Sequence, residues 1–99
     1  MSDLLKLIFE DQAQWRREKA TENADHQRDI ESAEIFDTLA ATAADVPPDV
    51  LTAAEERFSD PADFLILNAM LREVGVQSHP VNAEEFVREF IARSAGGSP

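Results

Sequence analysis

The sequence predicts an all-α domain, a compact bundle of about five helices with the fourth central and buried. Three observations carry this. No run of β-branched residues alternates with polar ones, and no Asn-Gly or Asp-Gly hairpin turn occurs. Apolar residues recur instead at helical spacing. The three glycines, at 75, 96 and 97, all lie outside the predicted helix interiors. Residues 1–93 form one domain and 94–99 a flexible tail, because 99 residues support a single modest core. A composition 43% hydrophobic and 29% charged is that of a folded chain rather than a disordered one.

The first helix is expected over residues 3–19. Asp3 is placed to accept from the first free amides. Leu4, Ile8 and Trp15, flanked by Leu5, share a face, and Leu7 and Phe9 widen it. From Arg16 to Asp29 no side chain larger than Ala is apolar. This stretch is expected to be a helix end projecting into water, a loop, or both, with a break near residues 21–23; the alternative is one continuous helix through the region. The second helix is expected over residues 24–44. Ile35, Phe36, Leu39, Ala40 and Ala43 share one face, and Glu31, Glu34, Asp37 and Asp45 share the opposite one. Ile30 falls on the acidic side, in conflict with its neighbours.

Val46-Pro47-Pro48-Asp49 ends that helix and starts a third, over residues 48–58, because proline suits a first turn and disfavours helix before it. Val50, Leu51, Ala54 and Phe58 face inward. The fourth helix, residues 61–74, opens with Asp60 as N-cap, Pro61 in the first turn and Asp63 beside the positive end of the dipole. Phe64, Leu65, Ile66, Leu67, Met70, Leu71 and Val74 surround it, which predicts burial. Asn68 and Arg72 mark its one polar edge. Gly75 stops it in the left-handed conformation, with Val76 as the accompanying contact. The fifth helix opens on Asn82 and Glu85 as a capping-box-like pair and carries the stripe Ala83, Phe86, Val87, Phe90 and Ile91.

Several function classes are unsupported. Without cysteine the chain offers no disulfide, thiol nucleophile or thiolate metal site, and such a composition suits a reducing, cytoplasmic setting. No segment has the roughly 18 apolar residues of a membrane span. The Leu-rich start fails as a signal peptide, since acids flank it on both sides. The net charge of −11 opposes attraction to nucleic acid or anionic lipid. Glu22, Asp25, His26 and Asp29 form a loose set of metal-ligand types, read as a solvated helix end. His79 beside Ser78 has no third orienting group. Glu55-Glu56 and Glu84-Glu85 are adjacent on a helix, so their side chains diverge by about 100°. No catalytic, metal or cofactor residue is assigned, and the chain is expected not to be an enzyme.

The charge distribution points further. Residues 1–21 carry four acids and four bases, whereas residues 22–63 carry twelve acids against two bases. Asp49, Asp60 and Asp63 serve helix starts, and Glu22, Asp25 and Asp29 lie nearest the basic end of helix one and are expected to be neutralised there, which leaves Glu31, Glu34, Asp37 and Asp45 as one acidic strip, with Glu55 and Glu56 as candidate neighbours. The expectation is a protein–protein interaction module that docks a basic partner through this strip, with Trp15 as a further contact. The alternative is an assembly or homodimer subunit that uses an apolar edge of helix one, with Leu5, Phe9 and Trp15. A small enzyme with a deeply buried carboxylate beside His79 is the weaker third.

Overall fold

The computed structural model describes residues 2–22 and 26–96. Five helices follow one another: α1 (Ser2–Ala20), α2 (His26–Thr42), α3 (Pro48–Phe58), α4 (Pro61–Glu73) and α5 (Ala83–Gly96), with a 3-10 turn at Ala43–Asp45. No strand occurs among the described residues. The radius of gyration is 13.4 Å, close to the ~13 Å expected for a compact chain of this length.

The most extensive packing is between α1 and α2, which form an antiparallel hairpin. Phe9 packs on Phe36, with ring centroids 6.3 Å apart, and meets Phe86 of α5 edge-on at 5.1 Å. Phe58 of α3 meets Phe90 of α5 at 5.7 Å. Phe9, Phe36 and Phe90, with Leu39, Val74 and Val87, are the innermost large side chains, Phe86 is nearly as buried, and Phe58 is partly buried against them. The core therefore centres on α1, α2 and α5.

Helix four departs from its predicted central position. Leu67, Met70 and Leu71 are buried, yet Phe64 and Leu65 are 47% and 69% exposed. Only one side of α4 meets α3 and α5. Its all-round apolarity thus reflects one core face and one uncovered face. Helix one also turns a different face inward. Leu5, Phe9, Ala13 and Arg16 are buried, while Leu4 (49%), Leu7 and Trp15 are exposed. The helix already includes Ser2, so Asp3 lies in its first turn rather than at the cap.

The predicted caps of α4 and α5 hold. Asp60 accepts from the Ala62 amide at 2.9 Å. Asn82 accepts from the Glu85 amide at 2.9 Å, and the Glu85 carboxylate accepts from Val81 N–H at 2.6 Å. The first amide of α5, on Ala83, donates to the Thr42 hydroxyl at the end of α2. Gly75 has φ +81°, as a left-handed stop requires. The Glu73 carbonyl accepts from the amides of Val76, Gln77 and Ser78, which winds the turn tightly. The apolar contact at this stop is made by buried Val74, not by Val76, which is exposed. Helix α5 continues to Gly96, past the Ser94 expected to begin the tail, and Ser94 is buried. Residues 97–99 lie outside the described residues.

Candidate functional site

Arg16 and Arg17 are neighbours on α1 and diverge by about 100°, one into the fold and the other into water. Arg16 is only 8% exposed. Its guanidinium lies 3.8 Å from Asp29 of α2, which is also buried. One of its terminal N–H groups donates to the carbonyls of Leu71 and Arg72, at 3.3 and 3.2 Å. Those carbonyls belong to the last turn of α4, where the helix leaves acceptors unmatched. Arg16 thereby ties α1, α2 and α4 together. Desolvation lowers its pKa, partly offset by the charge of Asp29. The stretch expected to project into water is thus anchored by a polar pair inside the fold. Arg17 forms a two-pronged pair with Asp37 on the exposed edge. That hydrogen-bonded contact raises its pKa, and the charges of Asp37 and Glu34 add to the effect.

The predicted acidic strip stands in water. Glu31, Glu34, Asp37 and Asp45 are all exposed. Asp37 is held by Arg17, whereas Glu31, Glu34 and Asp45 have no ion pair among the described residues. Glu31 accepts only a 3.3 Å bond from Gln27, one turn earlier. Ile30 is partly exposed beside them. Its conflict with the acidic side resolves outward, not into the core.

Trp15 stands apart from the strip. On a helical projection it lies about 160° from Arg17. The Arg16 guanidinium sits 5.1 Å from the centroid of its ring and the Lys19 ammonium 5.5 Å. Trp15, Gln12 and Arg16 face Asn68, Leu71 and Arg72 across a cleft of about 300 Å³ between α1 and α4. The polar edge of α4 is therefore the far wall of this cleft. Sequence reading identified Trp15 and the Asn68–Arg72 edge but gave no signal that they meet. Of the proposed assembly edge, Leu5 and Phe9 are in the core, which leaves Leu4, Leu7 and Trp15 as the exposed apolar residues of α1.

His79 borders a second cleft of about 200 Å³ with Ser78, Glu85, Glu89 and Arg93. Among the described residues that line this cleft, no carboxylate is deeply buried. Glu85 is exposed and committed to the start of α5, and Glu89 is exposed and accepts from Arg93 at 3.0 Å. Arg93 also donates to Glu73 at 2.6 Å. This second bond raises its pKa most, with Glu89 next. Asp25 and the side chain of His26 lie outside the described residues. No metal-binding cluster occurs among the rest, and no helix of the described residues is long and apolar enough to cross a membrane. Comparison with protein-family models, with curated proteins and with solved structures finds no match to this chain.

Proposed function

We propose that this domain is a protein–protein interaction module that docks a basic surface of a partner through the acidic strip of α2. The observation that carries the reading is the division of labour among the acids of α2 and of the 3-10 turn that follows it. Asp29 is consumed inside the fold and Asp37 is held by Arg17. Glu31, Glu34 and Asp45 retain exposed charge without a cation in contact. Like charges along one helix face cost a few tenths of a kcal/mol per pair. A basic partner relieves that repulsion when it binds. The net charge of −11 adds a long-range field that steers cations toward the domain and opposes nucleic acid. A cytoplasmic setting and a non-enzymatic role belong to the same reading, supported by the cysteine-free composition and the lack of a buried acid beside His79.

The test is a comparison of the wild type with the combined Glu31→Gln, Glu34→Gln and Asp45→Asn variant. Partners are captured from the native cell and their association with both proteins is then timed. The reading expects the on-rate to fall about tenfold in the variant and its salt dependence to flatten. Unchanged on-rate and salt dependence would refute it.

A further inference from the structure

We infer that the cleft between α1 and α4 is a second binding site, one that takes an acidic, partly apolar peptide segment of another protein. Its lining is unlike the rest of the surface. In a chain with 20 acids and 9 bases, the cleft is walled by two arginines, two carboxamides, one tryptophan and one leucine, with no acid. The two cations are not equivalent. Arg16 is buried beside Asp29 and donates to the carbonyls of α4. Arg72 is exposed and makes no ion pair among the described residues, so its guanidinium is available to a carboxylate. Arg16 has a further role. It already occupies the carbonyls of Leu71 and Arg72, which would otherwise repel an anion at the C-terminal end of α4.

The apolar part of the ligand is set by Trp15 and Leu71. Trp15 is 46% exposed, an unusual position for the one tryptophan of a small domain. Arg16 and Lys19 lie beside its ring, which forms one wall of the cleft. The carboxamides of Gln12 and Asn68 can bond to a peptide backbone in either polarity.

A peptide segment fits this lining better than a small carboxylate does. Arg72 supplies an exposed cation, Trp15 and Leu71 the apolar surface, and Gln12 and Asn68 the groups that bond a backbone. A segment with an acid beside its apolar residues matches all three.

The probe is a blocked dodecapeptide with leucines at helical spacing and two glutamates at one end. Its counterpart carries glutamines, and free phenylbutyrate represents a small carboxylate. Trp15 emission reports binding, and circular dichroism confirms that variants fold. The glutamate peptide is expected to give a saturable change. The glutamine peptide and the exposed-site variant Arg72→Ala should each weaken it about tenfold. No saturable change, or equal binding with either alteration, overturns the inference. Phenylbutyrate binding as tightly as the peptide also overturns it, because the site would then be one for small anions.

Discussion

Two arginines adjacent in sequence meet two aspartates of the same helix, yet their surroundings differ completely. The Arg16–Asp29 pair is nearly sealed from water, with side chains 10% and 12% exposed, while both members of the Arg17–Asp37 pair are half exposed. The exposed pair has the closer, two-pronged contact. It is nevertheless the weaker contributor to folding, because solvent screens it and two long side chains lose freedom to make it. The buried pair is looser at 3.8 Å, but breaking it leaves a charge with no solvent to receive it. What each pair is worth depends more on its medium than on its geometry.

The largest expected effect comes from removing one half of the buried pair. Arg16→Ala leaves Asp29 uncompensated and frees the Leu71 and Arg72 carbonyls. It should destabilise the domain by about 3–5 kcal/mol in urea denaturation, a large fraction of the roughly 5–15 kcal/mol typical of a whole domain. Next comes Gly75→Ala, at the turn beside the same junction. A Cβ there would stand 2.0 Å from the Ser32 hydroxyl, in a backbone conformation that L residues rarely adopt. Ser32 itself donates to the Val74 carbonyl at 3.0 Å. A loss of about 2–3 kcal/mol is expected by the same assay, and Ser32→Gly should restore part of it.

The double replacement Arg16→Met with Asp29→Leu sharpens the comparison. Replacing both charges by apolar side chains of similar size should leave stability within about 1.5 kcal/mol of wild type, far better than Arg16→Ala alone. A double variant as unstable as the single one would mean that the carbonyls of α4, not Asp29, dominate the role of Arg16. The smallest effect is that of Arg17→Ala, at most about 1 kcal/mol. Molar salt should shrink it further, since the Debye length falls to about 3 Å. A salt-insensitive loss of 2 kcal/mol or more would contradict the contrast between the two edges.

The same pair explains what the sequence concealed. On α1, Leu4, Ile8 and Trp15 form one helical stripe, and Leu5, Phe9 and Ala13 form another. The second is the core, and its continuation is Arg16. A charged residue at the end of a stripe reads as solvent-facing until its partners on α2 and α4 are known. The stripe of Leu4, Ile8 and Trp15, which carries the one tryptophan, drew the assignment to the wrong face. Helix four misled for a related reason. Apolar residues surround it, but composition does not reveal that α1 stays too far from it to cover Phe64 and Leu65. The elements read correctly were set by local chemistry. Pro48, Asp60, Gly75 and Asn82 each determine a boundary through their own backbone or a bond within a few residues. The exposure of Glu31, Glu34 and Asp45 was legible too, because a helix projection suffices for it. The cleft was not, since it depends on the approach of residues 12–16 to residues 68–72.

The hydroxyl of Thr42 has a part in the assembly of the chain itself. It donates back to the Thr38 carbonyl at 2.8 Å and accepts the Ala83 amide at 2.9 Å, so one atom joins the last turn of α2 to the first of α5. Forty-one residues separate the two. The leading amide of α5 therefore finds its acceptor only after the loop containing α3 and α4 has closed, at an entropic cost that grows slowly with loop length. The Ala83 amide should therefore exchange with solvent as a reporter of that closure.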